Sequence, residues 1–365
     1  MSETEPHTFS PEEREELRES LLTWYARHRR DLPWRGDDVP AYGTWVSEIM
    51  LQQTQVATVR DYYVRWMARF PDVTALAEAE LEQVLEQWSG LGYYRRARLL
   101  HEGAKYVVEK LDGELPGTAS ALRALPGVGP YTAGAIASIA FGEAAPLVDG
   151  NVERVFARLR GVGGDPKGRE NQKTFWAIAA ELVDASDPGS FNQSLMELGA
   201  TVCTPKSPSC LLCPVRPYCS ALAEGDVTRY PGKRVRKPPK EVALRSCVVS
   251  GDLDGERAVL VVKRPDKGIW AGLLEPPTAP PGELEGLLEA LVGRPVELPA
   301  EPLGQLEHRL SHRLMTFSVT SAHVGEAAEP ARDDARWILE RELDDAALSS
   351  ASRKLFALAR GALSE

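Results

Sequence analysis

The chain has 365 residues, of which 43% are hydrophobic, so it can bury the cores of two domains of ordinary size. Its net charge of −10 has the wrong sign for a protein that binds nucleic acid through its overall charge, although such a sum can hide a basic face. No stretch approaches the ~20 apolar residues of a membrane helix, and Met1–Pro6 has neither the basic region nor the apolar run of a signal peptide. We therefore expect a cytoplasmic protein that does not bind membranes.

Helices account for the first part of the chain. Ser10-Pro-Glu-Glu13 is a capping box with proline at the first helical position, and apolar residues follow at helical spacing. Strand-like alternation is absent up to about residue 222, which predicts an all-α domain over residues 1–222. Its later helices are predicted at residues 45–69, 74–88, 94–111, 118–125, 130–141, 152–159, 172–183 and 191–202.

The composition changes after residue 223. Between Arg229 and Lys240 there are six basic residues and three prolines but no acidic residue, which predicts a stiff basic linker over residues 223–241. Strands are predicted beyond it at residues 242–249, 258–263 and 314–322, and helices at 281–292 and 350–363. This pattern indicates an α+β domain over residues 242–365.

A tight glycine-rich turn, Leu125-Pro-Gly-Val-Gly129, precedes the helix that Pro130 opens. Gly127 and Gly129 permit positive φ and close approach of a ligand, and a helix N-terminus favours anions. Such a turn can bind a phosphate of a nucleic-acid backbone without reading its sequence. The alternative is an ordinary connection between two helices.

Two carboxylates have chemical meaning only as a pair. Glu48 lies beside the buried stripe of the second helix, and Asp149 precedes the helix predicted from residue 152. Cleavage of a glycosidic bond needs an acid for the leaving group and a carboxylate that faces an oxocarbenium-like sugar. Taken singly, Glu48 reads more simply as a solvated helix residue, and Asp149 or Asn151 as a helix N-cap.

Four cysteines fall within 17 residues, with the spacing Cys203-x6-Cys210-x2-Cys213-x5-Cys219. In a cytosolic protein, such clustering indicates a metal centre rather than disulfides. Four thiolates suit either zinc or an iron–sulfur cluster. The spacing alone leaves both open, although zinc sites more often use two C-x2-C pairs.

Two further segments carry candidate binding residues. Tyr93-Tyr94 follows Gly90-Leu-Gly92 and precedes Arg95, Arg96 and Arg98. Aromatic rings there could enter a base stack while the arginines hold phosphates, but core packing with a solvated basic face is the simpler interpretation. Leu310–His312, in a loop before a strand, offers hydrogen bonds to a base edge, and a surface loop is its alternative. No nucleophile motif nearby indicates a hydrolase triad.

Together these segments resemble the helix–hairpin–helix DNA glycosylase superfamily. More narrowly, Ser47–Val56, Gly90–Tyr94, Gly129–Thr132 and Val148–Asn151 are similar to adenine DNA glycosylases of the MutY type, in the family's order along nearly the whole chain. The resemblance implies a base-excision repair enzyme, monomeric on double-stranded DNA in the bacterial nucleoid. Its substrate would be adenine mispaired with 8-oxoguanine (or guanine), flipped out of the duplex because its glycosidic bond cannot be reached in the stack.

The resemblance also implies a division of labour among the candidate residues. Glu48 would protonate adenine at N7, and Asp149 would stay ionised and stabilise the sugar cation. Tyr131 and Asn151 would position these groups and the attacking water. The residues implied to enter the base stack, probe the lesion or hold the DNA backbone are Leu51, Gln53, Tyr93, Gly127 and Gly129. The residues implied to carry a [4Fe–4S] cluster are Cys203, Cys210, Cys213 and Cys219.

The second domain resembles the MutT-related, Nudix-like domain of this family. It lacks the acidic signature that binds magnesium for diphosphate hydrolysis, so the resemblance implies a role in recognition only. Ser311 and His312 match a lesion-reading loop, whereas Leu310 stands where the family usually has phenylalanine, which leaves a stacking role there open.

Two residues differ from the related endonuclease III type in a way that bears on cleavage of the DNA strand. Tyr131 stands where the related endonuclease III type has a Schiff-base lysine, and Asn151 stands where that type has histidine. Both departures imply a monofunctional glycosylase with little or no lyase activity. Two other interpretations remain, a bifunctional glycosylase/lyase and a DNA-binding iron–sulfur protein without catalysis.

Overall fold

The structure is a computed structural model that describes residues 9–36, 38–233 and 238–362. The start of the chain, Met1–Pro6, and three basic residues of the predicted linker, Arg234, Arg236 and Lys237, lie outside the described residues. The chain divides into two compact units, which are described separately below. The first unit is Met1–Glu78 with Glu102–Arg236, and the second is Ala79–His101 with Lys237–Glu365.

Short helices with tight connections make up the chain up to residue 223. No helix among the described residues is both long and apolar enough to cross a membrane. The helices are α1 (Pro11–His28), α2 (Ala41–Leu51), α3 (Val56–Arg69), α4 (Val73–Glu78), α5 (Leu81–Gln87), α6 (Arg95–Lys110), α7 (Ala119–Leu122), α8 (Pro130–Phe141), α9 (Gly150–Arg160), α10 (Arg169–Leu182), α11 (Pro188–Thr201) and α12 (Ser220–Ala223).

Two predicted helices are each divided in the structure. The helix predicted over residues 45–69 is interrupted between α2 and α3, where Gln53 adopts a left-handed φ of 57° that cannot continue a helix. The helix predicted over residues 74–88 is interrupted at Glu80, whose extended backbone starts α5 with a capping box to Gln83. The capping box predicted at Ser10 is confirmed, because Ser10 and Glu13 bond each other's backbone N–H.

The core of the first unit surrounds α9. Phe156 is fully buried and belongs to one cluster with Leu21 of α1, Phe175 of α10 and Leu195 of α11. Burial of each such side chain contributes roughly 1.5–3 kcal/mol. α8 closely approaches the segment before α9, since a Cβ on Gly134 would lie 2.2 Å from the Pro146 carbonyl oxygen. The glycine therefore lets α8 pack beside the start of α9.

A mixed sheet forms the centre of the second unit. In the described residues its order is β3-β2-β1-β6-β5, with β4 paired to β1 and β7 paired to β2. The two long strands β1 and β6 run parallel, and β5 and β6 form an antiparallel hairpin that turns at residues 310–312. The elements are β1 (Lys240–Leu253), β2 (Glu256–Lys263), β3 (Leu274–Glu275), β4 (Thr278–Ala279), α13 (Leu284–Val292), β5 (Gly304–Arg309), β6 (Arg313–Glu326), β7 (Ala335–Leu339) and α14 (Ser350–Ala362).

The loop between α5 and α6, residues 88–94, packs within the second unit and is called the Tyr93 loop below. The Tyr94 hydroxyl donates to the Leu348 carbonyl at 2.9 Å and accepts from the Gly90 N–H at 3.1 Å. The Ser89 hydroxyl donates to the same Leu348 carbonyl. These contacts fix the base of the loop.

Candidate active site

The predicted glycine turn joins α7 to α8. Gly127 has a φ of 77°, a conformation that favours glycine, and the Val128 N–H donates to the Leu125 carbonyl at 3.1 Å. Gly129 starts α8 without a side-chain cap, and a Cβ there would meet no atom within 4 Å. The turn therefore combines an open backbone with a helix start that favours an anion.

Glu48 is buried in α2 and hydrogen-bonded to Tyr131 of α8. The Tyr131 phenol donates to Glu48 Oε2 at 2.6 Å, and Glu48 is only 5% exposed. Burial raises the pKa of Glu48 to about 7; the nearby Asp149 carboxylate also raises it, and the Tyr131 hydrogen bond opposes both. The interpretation of Glu48 as a solvated helix residue is therefore wrong.

Asp149 both caps α9 and faces the same site. Its Oδ1 accepts from the Asn151 and Val152 N–H groups at 2.9 and 2.7 Å, and its Oδ2 accepts from the Asn151 side-chain amide at 2.9 Å. Burial raises the pKa of Asp149, while these donors and the nearby Arg154 oppose that rise. The structure thus confirms the N-cap interpretation, and the cap leaves the carboxylate beside the cavity.

Asn151 is held in place by α11 and by Arg154. A Cβ on Gly199 would lie 2.5 Å from the Asn151 Cβ, so only glycine permits this approach of α11. The Arg154 guanidinium donates to Asn151 Oδ1 at 2.9 Å and to the Cys203 carbonyl at 2.7 Å. The amide that bonds Asp149 therefore has little freedom to rotate.

One cavity of about 170 Å³ collects these groups. It lies within the first unit, and its lining includes Glu48, Leu51, Tyr131, Asp149 and Asn151. Two acidic groups, a phenol and an amide thus converge on a space whose wall combines apolar with polar side chains. Such an arrangement of titratable groups with shifted pKa values is typical of an active site.

The cavity wall also contains an ion-pair cluster that the sequence did not indicate. The fully buried Glu197 accepts from Arg30 at 2.6 and 2.8 Å and from Arg35 at 2.8 Å. Burial alone would raise the pKa of Glu197, but these hydrogen bonds outweigh it and lower the pKa to about 2. Arg30 and Glu197 are 167 positions apart in the chain, so only the tertiary structure shows this pairing.

The end of α2 and the segment after it border the cavity, which Leu51, Thr54 and Val56 line. The Gln52 side chain donates to the Thr132 hydroxyl at 3.3 Å, which ties this segment to α8. The next residue, Gln53, is exposed and has the left-handed φ of 57°. Leu51 lines the cavity itself and is partly exposed.

The four clustered cysteines are free thiols in the first unit. Cys203, Cys213 and Cys219 pack against the core that contains α9, and the four thiols are close enough to influence one another's charge. Arg158 donates to Cys203 Sγ at 3.2 Å. In the described residues, no three His, Cys, Asp or Glu side chains are arranged to hold a single metal ion.

The remaining predicted residues lie in the second unit. Leu310, Ser311 and His312 form the turn between β5 and β6, called the reading turn below. Ser311 and His312 are exposed, whereas Leu310 packs against the sheet residues Met315 and Phe317. Tyr93 is 47% exposed, and its hydroxyl lies 2.8 Å from Ser311 Oγ.

Comparison with known proteins matches both parts of the chain. Residues 46–181 match the model of the HhH-GPD superfamily of base excision DNA repair proteins, and residues 251–358 match a NUDIX domain model. The predicted multi-domain architecture, a helix–hairpin–helix glycosylase domain followed by an α+β Nudix-like domain, is confirmed.

Solved structures share the helical fold. A thermostable thymine-DNA glycosylase aligns with a TM-score of 0.53 at 30% identity, covering 58% of this chain and 98% of that chain. A non-covalent endonuclease III–DNA complex aligns with a TM-score of 0.50 at 21% identity, covering 60% of this chain and 99% of that chain.

Relatives of known activity extend over most of the chain. The adenine DNA glycosylase of Mus musculus is 44% identical over 93% of this chain and 77% of its own length. The Homo sapiens enzyme is 42% identical over 94% of this chain and 74% of its own length. The Arabidopsis thaliana enzyme is 47% identical over 74% of this chain. The chain therefore belongs to the adenine DNA glycosylase family.

Proposed function

We propose that this enzyme removes adenine paired with 8-oxoguanine from double-stranded DNA by hydrolysis of the N-glycosidic bond. The observation that carries the proposal is the buried Glu48, bonded by Tyr131 at 2.6 Å, in the same cavity as the capped Asp149. The two carboxyl groups have different surroundings, which is how one site supplies both an acid and an anion.

Glu48 is the proposed acid. A pKa of about 7 keeps a large fraction of this carboxyl group protonated at neutral pH. Because Tyr131 occupies Oε2, Oε1 can carry the proton toward N7 of a flipped adenine. Protonation makes the base a neutral leaving group, and the ionised Glu48 that remains can accept a proton from the attacking water.

Asp149 is the proposed anion that faces the sugar. Its three donors, two backbone N–H groups and one amide, favour the charged carboxylate at the start of α9. As the bond from sugar to base breaks, positive charge develops on the sugar, and a preorganised carboxylate stabilises it. Tyr131 and Asn151 position the two carboxyl groups.

The cavity supports a monofunctional reaction. A lyase that acts through an imine needs an amine beside the sugar, and Tyr131 has only a phenol. No lysine is among the described residues that line the cavity. Water is therefore the proposed nucleophile, and the product is an abasic site in an unbroken strand.

DNA contacts are proposed for surfaces on both units. Gly127 and Gly129 would hold a backbone phosphate at the start of α8, and Leu51 with Gln53 would enter the space that the flipped adenine leaves. Tyr93, Ser311 and His312 would read the base opposite adenine. Leu310 packs into the sheet, which supports a structural rather than a stacking role for it.

The four cysteines are proposed to hold a [4Fe–4S] cluster. Four free thiols close enough to influence one another's charge are the appropriate donor set, and the Arg158 guanidinium at Cys203 would favour a thiolate there. When bound, the cluster would tie residues 203–219 into one rigid loop. In this proposal Glu48 and Asp149 perform the chemistry, and the cluster takes no part in it.

A single assay tests the proposal. Adenine release is measured on duplexes that differ only in the base opposite adenine, and we expect release to be fastest opposite 8-oxoguanine and slower opposite guanine. Equal rates on all duplexes would reject the proposed specificity. Borohydride treatment during the reaction should trap little covalent complex, and strong trapping would reject the monofunctional reaction. Mismatch affinity without base release would favour a non-catalytic binding protein.

A further inference from the structure

Arg96, at the start of α6, has an environment unlike that of its neighbour Arg95. Arg95 is exposed, whereas Arg96 is only 9% exposed, and burial lowers its pKa to about 10. The guanidinium is therefore charged at neutral pH, yet it is not available to a DNA phosphate. Of the arginines beside Tyr93 that were predicted to hold phosphates, Arg96 has the wrong environment for that role.

Arg96 instead lies beneath the Tyr93 loop. Its guanidinium is 5.2 Å from the ring centre of Trp88 and 5.5 Å from that of Tyr93, both within cation–π range. One nitrogen donates to the Leu91 and Gly92 carbonyls at 3.3 and 3.2 Å. The buried indole of Trp88 donates to the same Gly92 carbonyl at 3.0 Å. Arg96 thus contacts the backbone and both aromatic rings of the loop.

The Tyr93 loop needs such support because its backbone is strained at Tyr93. Tyr93 has a φ of 49°, which a bulky residue rarely adopts. The strained conformation exposes the phenol and brings its hydroxyl to Ser311 Oγ. Tyr94, by contrast, is buried and anchors the loop through Leu348.

The other side of this contact is fixed as well. In the reading turn, the Leu310 N–H donates to the Arg313 carbonyl at 2.8 Å, and the Leu310 side chain packs against the sheet. The Ser311 hydroxyl can therefore reach Tyr93 only in a narrow range of positions. A hydroxyl bonded on one side has its remaining donor or acceptor directed elsewhere, so Tyr93 sets what Ser311 offers to a base.

We propose that Arg96 is a positioning residue for discrimination at the opposite base: it holds the Tyr93 phenol at Ser311, so that Tyr93 and Ser311 act as one recognition unit. The inference rests on the proposed specificity for 8-oxoguanine. It assigns the selectivity to an oriented hydroxyl pair rather than to independent contacts. Guanine and 8-oxoguanine differ at N7, an acceptor in the first and a donor in the second, so the orientation of a neighbouring hydroxyl distinguishes them.

The test compares single-turnover adenine release opposite 8-oxoguanine and opposite guanine, and takes the ratio of the two rates. Arg96→Lys retains the charge but loses the planar guanidinium that lies within cation–π range of both rings and donates to two carbonyls. We expect it to lower the ratio by roughly 3- to 10-fold, the range for loss of one well-placed hydrogen bond. Arg95→Met is the matched control, expected to leave the ratio unchanged, to weaken DNA binding most at low salt and to make binding less dependent on salt.

A double-mutant cycle separates positioning from general stability. If Arg96 acts through the hydroxyl pair, Arg96→Lys has no further effect on the ratio in a Ser311→Ala background. A purely structural role would lower both rates equally and add to the effect of Ser311→Ala, which would overturn the proposal. Tyr93→Phe keeps the ring and removes only the hydroxyl, so its cycle with Ser311→Ala gives the same test if Arg96 variants do not fold.

Different results would contradict the proposed specificity for 8-oxoguanine and the proposed role of Arg96. A wild-type ratio near one contradicts the proposed specificity itself. A wild-type preference for 8-oxoguanine combined with additive effects in both cycles leaves the function standing and overturns the role of Arg96.

Discussion

The polar groups of the cavity and those of the reading turn are held in place in different ways. In the cavity, Glu48 and Glu197 are buried and held by short hydrogen bonds from a phenol and two guanidinium groups. At the reading turn, Ser311 and His312 are exposed, and Ser311 is bonded by a neutral hydroxyl. Buried polar groups interact strongly and cannot rearrange at low cost, whereas exposed neutral groups exchange partners with water. The cavity groups are therefore held by their own buried hydrogen bonds, whereas the exposed hydroxyls of Tyr93 and Ser311 depend on the packing of the Tyr93 loop and the reading turn for their orientation.

This contrast separates two classes of variant. A change in the cavity should alter the rate on every duplex by a similar factor. A change at the reading turn should alter the ratio between duplexes and leave the slower rate nearly intact.

The largest effect is expected from the two carboxyl groups. Glu48→Gln removes the transferable proton but keeps an oxygen for Tyr131, and we expect adenine release to fall by roughly 10²- to 10⁴-fold. In Asp149→Asn, adenine release should fall by a similar factor, because asparagine caps a helix as well as aspartate does but carries no charge. Single-turnover assays measure both, with DNA affinity as the control. Turnover like that of the wild type in either variant would contradict the mechanism.

A large loss of stability is expected from the ion-pair cluster. Glu197→Gln leaves Arg30 and Arg35 beside a neutral group and should lower the free energy of unfolding by about 3 kcal/mol. The estimate is at the lower end of the usual range because the Arg30 side chain is 37% exposed and water can partly solvate it. Denaturant unfolding measures the change. Glu170→Gln, in an exposed pair with Lys173, is the control and should change stability by less than about 1 kcal/mol. Equal losses in both variants would show that burial of Glu197 is unimportant.

A shift in pH dependence is expected from Tyr131→Phe. Adenine release needs protonated Glu48, so the wild-type rate should fall as the pH rises through about 7. The Tyr131 hydrogen bond lowers the Glu48 pKa, and its removal should move this fall to higher pH. A pH–rate profile on one duplex gives the midpoint. A midpoint that stays in place or moves to lower pH would show that Tyr131 does not hold the ionised form of Glu48.

The same carboxyl group predicts a pH-dependent stability. Its folded-state pKa of about 7 lies above the ordinary glutamate pKa of 4.5, so the folded state binds the proton more tightly, and stability falls as the pH rises from about 4.5 to 7. Glu48→Gln should remove this dependence and raise the free energy of unfolding at pH 8 by roughly 1–3 kcal/mol. At pH 4 the variant and the wild type should be alike. Equal stabilities at pH 8 would mean that burial does not penalise the charge.

The smallest effect is expected at the reading turn. His312→Ala should lower the preference for 8-oxoguanine over guanine by roughly 3- to 10-fold while release opposite guanine changes little. His323→Ala is a control, because His323 is also exposed but lies on β6 beside Asp252. An unchanged preference in His312→Ala would remove His312 from the recognition surface.

Helices were predicted well where the sequence marks their ends, for example with proline at the first position. A helix over residues 130–141 was predicted with Pro130 at its start, and α8 has these bounds. In the structure it ends at Gly142, which has a φ of 69°. The interruption at Gln53 was missed, since no glycine or proline marks it. The strand β5 was missed as well, because Leu306 is its one large apolar residue, so the sequence shows neither an apolar run nor an apolar/polar alternation.

The site was predictable only where motifs exist. Glu48 and Asp149 stand in stretches that resemble a known family, and the structure brings both to one cavity. The partnership of Glu197 with Arg30 joins residues 167 positions apart, and the contact of Tyr93 with Ser311 joins residues 218 apart. Pairings at such distances depend on how the chain packs. The sequence also could not distinguish the buried Arg96 from the exposed Arg95, because both are arginines at the start of the same helix.

The double use of Asp149 ties the proposed chemistry to the integrity of one helix. The carboxylate is oriented by the first N–H groups of α9, so it keeps this position only when that helix has formed. In the proposed mechanism, a chain in which the start of α9 is frayed has no oriented anion to stabilise the sugar cation. Excision is then coupled to the folding of α9.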